Sequence, residues 1–363
     1  MVYDMKILFD VRELERNKFS GIGRFILSIL KNKDYFKNFE FILVGNKKTD
    51  FDKPDLKGYD RFIINDIIPI FSEQLLLYDL VNKIKPDLYL SPYYKYPILI
   101  DIPVITAIFD LTYLIIQPYK NKLWNSFYIR NFIKYFTSKS NFIITSSNNT
   151  KKDILSFFKI EEEKIKVIYL PLDNSFKPQE AEKVKKTLSK YGIKKNYILY
   201  VGNNSYHKNI KALYNAYKLL PQSIKNKYDL VLVGFKDNDN EYPLAKILSY
   251  VDDDSLKCLY WGATLFVFPS LYEGFGYPPL EAMSLGCPVL ASHNSSIVEV
   301  LRDAAIYFNP NNIMEIASKI ETLINNPEMR KEMGLKGLKR ASFFNYEKFC
   351  SEIKMVFNEV LRK

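Results

Sequence analysis

The chain has 363 residues, of which 47% are hydrophobic, and carries 52 Lys+Arg against 41 Asp+Glu for a net charge of +11. That length accommodates two domains of ordinary size with substantial cores. Cys258, Cys287 and Cys350 are too few and too scattered for a disulfide framework, and with His207 and His293 they make no zinc spacing, so they read as reduced core thiols of a cytosolic protein. No signal peptide opens at Met1 and no apolar run reaches the ~18–20 residues that span a bilayer, which argues against secretion and membrane crossing. The basic surplus suits nucleic acid, an anionic membrane or a phosphorylated substrate. Nucleic acid is set aside because no helix-turn-helix, zinc finger or RRM-like motif accompanies the charge.

In chain order, Met5–Phe9 reads as a short strand leading into a polar loop with Ser20, Gly21 and Gly23, and Ile22–Leu30 then has helical periodicity. Phe41–Val44, Leu88–Ser91, Val104–Phe109 and Phe142–Thr145 are further buried strands, separated by helical stretches such as Glu73–Ile84 and Leu123–Phe136. Val167–Tyr169 closes the set, and Pro171 to Pro178 is a proline-marked connection. A second alternation starts at strand Tyr197–Val201, continues through loop Gly202–His207 and helix Lys208–Leu219, and reaches strand Leu230–Val233. Asp252–Asp254 open a short helix before strand Phe266–Phe268; strands Pro288–Ser292 and Ala305–Phe308 and helices Met314–Ile324 and Tyr346–Leu361 follow. Alternation of this kind predicts α/β architecture with parallel, doubly wound sheets covered on both faces.

Residues 266–292, FVFPSLYEGFGYPPLEAMSLGCPVLAS, are the most informative stretch. An apolar run ends in a loop holding Glu273, Gly274, Phe275 and Gly276, with Glu281 eight residues after Glu273. Pro279 suits a first helical turn, and Gly286 a stop just past the helix. On that spacing Glu281 lies in the first turn, where unpaired N–H groups and the positive dipole end are exposed. Glycines before a helix start let a phosphate approach the backbone, and two carboxylates beside it can hold sugar or ribose hydroxyls. The stretch therefore predicts a nucleotide-sugar site.

This block resembles the E-x7-E signature of retaining glycosyltransferases of family 4 (group 1), and the matches along the chain look most like bacterial mannosyltransferases of surface-polysaccharide assembly. The resemblance implies the GT-B fold: two Rossmann-like, doubly wound domains facing across a cleft, at residues 1–172 on the acceptor side and 173–345 on the donor side, with a helix at 346–363 crossing back to the first. It implies Glu273, Lys208 and Asp110 as catalytic residues. For donor binding it implies Gly274, Phe275 and Gly276 by backbone N–H groups, Pro279 and Leu280 at the helix opening, and Glu281 on the ribose. YVGNNSYHKNI is similar to the family's glycine loop and basic pair, which places His207 and Lys208 at the diphosphate. Gly21 and Gly23, within Ser20-Gly21-Ile22-Gly23-Arg24, resemble the loop closing over donor phosphates, and Asp10 and Arg12 fit the family's D-x-R opening. In VITAIFDLTYL, Asp110 and Leu111 match the family's His-Asp-Leu, but Phe109 replaces the histidine that helps place the donor sugar.

No metal or other cofactor is expected beyond the nucleotide-sugar co-substrate: Asp252–Asp254 read as helix-start acids, and Asp237-Asn238-Asp239 has no apolar strand immediately before it. The segment Tyr119–Phe142 interleaves Lys120, Lys122, Arg130, Lys134 and Lys139 with Trp124, Phe127, Tyr128, Phe132, Tyr135 and Phe136. It reads either as a packed core helix or as a peripheral attachment to an anionic membrane surface, on the inner face of the cell membrane for a cytoplasmic enzyme. The resemblance implies metal-independent, retaining transfer of a hexosyl unit, with GDP-mannose as first donor, to a glycan or polyprenyl-linked acceptor. The rival readings are a non-catalytic subunit that binds a nucleotide sugar and a glycoside hydrolase using Glu273 and Glu281.

Overall fold

The computed structural model describes residues 5–15, 21–65, 72–117, 119, 123–236 and 240–362, apart from the side chains of 72–73 and 123–129. Two compact units emerge, Met1–Pro171 with Tyr346–Lys363, and Leu172–Asn345.

The first unit holds β1 (Met5–Asp10), α1 (Gly21–Leu30), β2 (Phe39–Asn46), β3 (Asp60–Ile64), α2 (Leu77–Ile84), β4 (Leu88–Ser91), β5 (Val104–Ala107), α3 (Leu123–Lys139), β6 (Phe142–Thr145), α4 (Asn148–Phe157) and β7 (Ile165–Val167). Its seven strands are parallel in the order β3-β2-β1-β4-β5-β6-β7. Alternate side chains cover opposite faces, as strand pleating requires. Leu8, Ile42 and Tyr89 join Phe136 of α3 on one face. Phe41 meets Phe357 of the chain's last helix on the other, at 6.2 Å. That last helix, Tyr346–Leu361, also places Phe349 at 5.9 Å from Phe25 of α1.

The second unit holds α5 (Ala181–Lys190), β8 (Asn196–Val201), α6 (Ile210–Leu219), β9 (Tyr228–Val233), β10 (Ala245–Leu248), α7 (Asp253–Gly262), β11 (Leu265–Phe268), α8 (Tyr277–Ser284), β12 (Val289–Ser292), α9 (Ser295–Leu301), β13 (Ala305–Phe308), α10 (Ile313–Asn325) and α11 (Pro327–Ala341); the terminal helix of the first unit is α12. Its sheet is parallel in the order β10-β9-β8-β11-β12-β13. One face packs α6 and α10 over Ile198, Tyr200, Leu230 and Val267. All three cysteines are free and buried.

Both units are α/β and doubly wound, as the alternation predicts. The differences are local and have physical reasons. Strands β3 and β10 have no long apolar run to mark them: each is an edge strand, with only Ile64 of β3 buried and no residue of β10 buried. The strand expected at Val167–Tyr169 lies two residues earlier. Helix α6 begins at Ile210 rather than Lys208, because Tyr206–Lys208 form a 3-10 turn and Asn209 sits at φ 54°. Gly21 and Gly23 lie in the first turn of α1 and not in a loop; Ser20 lies outside the described residues.

Candidate functional site

In a doubly wound sheet the crevice for a ligand opens at the carboxyl ends of the strands where the winding reverses. In the second unit that point lies between β8 and β11, which are neighbours although α6, β9, β10 and α7 intervene in sequence. The loops leaving these two strands carry Gly202–Asn209 and Pro269–Gly276, so the fold brings two distant sequence blocks side by side. Their backbones are joined directly, since Leu271 N–H donates to the His207 carbonyl at 2.7 Å.

Lys208 and Glu273 meet at this junction. The Lys208 Nζ lies 2.7 Å from Glu273 Oε1, with side chains 15% and 12% exposed, and the same ammonium stands 5.6 Å from the centre of the Phe268 ring. Two opposite charges so far out of water hold each other through a charge-assisted hydrogen bond. Beneath them, burial first and the Glu273 carboxylate second push the Tyr200 phenol well above its ordinary pKa, so it stays protonated; its hydroxyl donates to the Asn203 carbonyl at 3.1 Å.

The Glu273 loop is clamped from three sides. Asn209 Nδ2 donates to the carbonyls of Pro269 and Pro310. Asn294 Nδ2 donates to those of Ser270 and Leu271. Glu273 N–H donates to Ser295 Oγ at 3.1 Å, and Ser296 Oγ donates to the Glu273 carbonyl at 2.7 Å. Sequence reasoning singled out neither Asn294 nor the two serines, because each acts on a loop more than twenty residues away.

Gly276 ends the loop at φ 95°, a conformation open chiefly to glycine. Helix α8 then starts at Tyr277, with Pro278 and Pro279 in its first turn, where missing N–H groups cost nothing. This corrects the expected place of Glu281. The helix opens two residues before Pro279, so Glu281 falls in the second turn, 1% exposed, and accepts a hydrogen bond from the buried Tyr260 hydroxyl at 2.9 Å. Leu280 is fully buried, and the Phe275 ring packs against Tyr277 at 5.3 Å and Phe344 at 5.7 Å. Gly274 and Gly276 therefore present backbone beside Lys208 and Glu273, while Phe275 and Leu280 anchor the turn.

Asp110, Gly21 and Gly23 lie in the first unit. A cavity of about 510 Å³ opens there, lined by Glu13 and Ile22 after β1, Tyr93 and Tyr94 after β4, and Phe109 and Asp110 after β5. This too is a winding-reversal point, since β1 and β4 are neighbours. Asp110 is exposed, and its Oδ1 accepts from Thr112 N–H at 3.0 Å, which opens the short helical turn Thr112–Ile115. The Phe109 ring packs on Phe25 at 5.1 Å, and its carbonyl accepts from Ser146 and Thr150 hydroxyls. The D-x-R pair is a structural turn: Arg12 Nη2 donates to Asp10 Oδ2 at 2.7 Å, and the Tyr89 hydroxyl donates to the same oxygen.

Among the described residues, no group of three or more His, Cys, Asp or Glu is placed to hold a metal ion. Asp252 is the N-cap of α7: its carboxylate accepts from Ser255 N–H at 2.8 Å. That bond, the Ser255 hydroxyl and Lys190 pull it down to about 2. Asp237-Asn238-Asp239 lie outside the described residues.

Residues 183–340 match the family profile described as glycosyl transferases group 1. The chain is 26% identical over 374 aligned residues to O-antigen chain mannosyltransferase B of Escherichia coli, spanning 94% of this chain and 97% of that protein. It is 30% identical over 217 residues to O-antigen chain mannosyltransferase RfbU of Salmonella typhimurium, 58% of each. Among solved structures, Anabaena Alr3699/HepE in complex with UDP and glucose aligns with a TM-score of 0.79 at 17% identity, over 98% of this chain and 100% of that one. WaaG, a glycosyltransferase involved in lipopolysaccharide biosynthesis, aligns with a TM-score of 0.77 at 14% identity, over 96% and 98%. The fold is thus that of the GT-B glycosyltransferases.

Proposed function

Because residues 183–340 form a glycosyl transferases group 1 domain and the chain is a glycosyltransferase, we propose that it moves a hexosyl unit, mannose from GDP-mannose in the first instance, to a hydroxyl of a glycan or polyprenyl-linked acceptor, with retention and without a metal ion. The observation that carries this reading is the Lys208–Glu273 pair at 2.7 Å, set beside the α8 start at the winding-reversal point of the second sheet. A nucleoside diphosphate departs with growing negative charge. A cation and backbone N–H groups fixed beside that charge stabilise the transition state more than the ground state. In this scheme Lys208 faces the diphosphate, Glu273 holds sugar hydroxyls near the reacting carbon, and Glu281, oriented by Tyr260, accepts from the ribose. The acceptor attacks from the face the diphosphate leaves, and the departing phosphate oxygen takes its proton, as the family resemblance implies. The mannose choice leans on the O-antigen mannosyltransferases among its relatives; the similar fold of Anabaena Alr3699/HepE in complex with UDP-glucose makes UDP sugars the main competitor. The hydrolase alternative is disfavoured because Glu273 is paired with Lys208 at 2.7 Å beside a helix start, phosphate-type features that a hydrolase does not need.

The test is thermal stabilisation by a panel of nucleoside diphosphates and nucleotide sugars in EDTA. A ligand at 100 times its dissociation constant adds about 2.7 kcal/mol, a melting shift of about 5–10 °C for a domain of this size. A shift selective for GDP and GDP-mannose is expected. One selective for UDP sugars overturns the mannose assignment, and one that requires added divalent cation overturns metal independence.

A further inference from the structure

Strand β12 ends at Ser292 and runs into a polar stretch, His293-Asn294-Ser295-Ser296, before the apolar residues of α9 begin at Ile297. Short hydroxyl and amide side chains compete for nearby backbone groups, which suits them to a helix start. Here their partners lie on another loop. Asn294 stands at the N-cap of α9 with no side-chain capping bond. Its Nδ2 reaches the carbonyls of Ser270 and Leu271 instead, and its Oδ1 accepts from the Ser295 hydroxyl at 3.2 Å. With its proton committed to Asn294, the Ser295 oxygen accepts from Glu273 N–H at 3.1 Å. Ser296, fully buried, donates to the Glu273 carbonyl at 2.7 Å. The backbone is therefore fixed on both sides of the Glu273 side chain by two consecutive serines.

Ser295 takes φ 45°, in the left-handed region that residues with a side chain seldom enter. Asn209, the residue after Lys208, takes φ 54°. Among the described residues these are two of five non-glycine residues at positive φ, so each half of the Lys208–Glu273 pair adjoins a strained position. Strain of this kind persists where surrounding bonds over-determine the backbone, and it gathers at sites that need a fixed geometry. Asparagine tolerates the left-handed region well, and glycine would take the angle freely. What serine supplies at 295, and glycine does not, is the oxygen beneath Glu273 N–H.

We infer that Ser295, assisted by Ser296, is a positioning residue for sugar transfer: it acts through Glu273, fixing the peptide from which that carboxylate reaches Lys208 Nζ at 2.7 Å. This role rests on the proposed one of Glu273, which holds hydroxyls of the donor sugar. A carboxylate carried on a loop is placed only as well as its own peptide is held, and a misplacement of ~1 Å at a reacting centre costs up to about 100-fold in rate. The Asn209 and Asn294 amides grip the loop earlier, at Pro269, Ser270 and Leu271, and so set its course. The two serines set Glu273 itself. Their effect should therefore fall on the sugar that Glu273 holds and spare the diphosphate.

The experiment compares dissociation constants for GDP against GDP-mannose, and for UDP against UDP-glucose, taken from ligand-dependent melting shifts of the full chain. For the pair that the wild type binds, Ser295→Gly and Ser296→Ala should each weaken the nucleotide sugar about 3- to 10-fold, the contribution of one neutral hydrogen bond, and the diphosphate less than about twofold. Glu273→Gln should show the same selectivity at larger size. Ser295→Gly should melt within a few degrees of wild type, because the relaxed angle offsets the lost bond. Arg302→Gly relaxes another positive φ, 50°, at a residue whose carbonyl accepts from the Tyr307 hydroxyl, and should change neither constant. If Glu273→Gln loses the sugar selectively and the serine variants do not, or if they weaken both ligands equally, or if Arg302→Gly shows the same loss, the positioning role is overturned while the reading of Glu273 stands. If Glu273→Gln itself does not discriminate, or the wild type shifts with neither pair, the reading of Glu273 falls and the positioning role falls with it.

Discussion

Replacing Lys208 by alanine removes one half of an ion pair with an N–O separation of 2.7 Å and side chains 15% and 12% exposed. At that separation, with an effective dielectric near ~20, the gross attraction is about 6 kcal/mol. Most of it is offset by the cost of taking both ions out of water. The net loss of a hydrogen bond between charged groups is about 1.5–3 kcal/mol, a fall in melting temperature of about 3–10 °C. Activity should fall much further. One preorganised donor aimed at developing charge contributes roughly 3–4 kcal/mol, so kcat/KM should drop about 100- to 1000-fold in the fully folded variant.

Two measurements separate the roles. Steady-state transfer with the donor found in the stabilisation panel gives kcat/KM for Lys208→Ala, Glu273→Gln and the double variant. Denaturant unfolding of the same proteins gives a double-mutant cycle, in which contacting charges should couple by about 0.5–3 kcal/mol. Strong coupling in stability, together with a rate loss far larger than the folded fraction explains, is the expected pattern. If Lys208→Ala keeps more than about a third of wild-type kcat/KM, well short of the loss expected for an aimed donor, while its stability falls, the lysine is only Glu273's structural partner and the mechanism above is wrong.

Gly276→Ala would meet Pro279 and Phe268 only at ordinary contact distances, 3.6 and 3.8 Å, so its cost comes from the backbone angle of 95°. Forcing a side chain into that region should cost about 1–2 kcal/mol, seen as a lower denaturation midpoint, with a larger loss of nucleotide affinity because the α8 start is displaced. Asp252→Ala should remove an N-cap and about 1 kcal/mol of stability at neutral pH. The Asp252 carboxyl is held down to about 2 by Ser255, so its contribution is present above the ordinary carboxylate range and lost as pH falls through about 2. Urea midpoints of wild type and variant should therefore differ at pH 6 and converge in strong acid.

The candidate site of the second unit was legible because its residues are written in two contiguous blocks, HKN at 207–209 and EGFGYPPLEAM at 273–283. Their apolar strands and helix punctuation could be read without any tertiary contact. What could not be read is how the blocks use each other. No spacing announces that Lys208 and Glu273 pair, that Tyr260 turns Glu281 inward, or that Asn294 and Ser296 pin the loop from beyond the next strand. The misplacement of Glu281 has the same origin. By sequence Pro279 suits a first helical turn, which would keep Glu281 in that turn, whereas Gly276 at a positive φ lets the helix open at Tyr277 and carry both prolines in one turn. Edge strands β3 and β10 escaped the reading because half-exposed strands lack the long apolar run that marks buried ones, whereas edge strand β13 kept enough apolar sequence to be read.

The first unit shows the opposite case, where residues that share a cavity are some ninety positions apart. Glu13, Tyr93 and Phe109 line one space of about 510 Å³, and nothing in the intervening sequence predicts the meeting. Phe109 then acquires a meaning that its position alone did not give. With its ring on Phe25 and its carbonyl taken by two hydroxyls, it offers this cavity an apolar wall where the resembling family offers an imidazole. A hydrogen-bonding wall rejects a sugar lacking the matching hydroxyl by a factor of roughly 10⁴ or more, whereas an apolar wall discriminates by shape, worth about 1–3 kcal/mol per methylene. Any sugar selectivity exercised at Phe109 is accordingly selectivity by size.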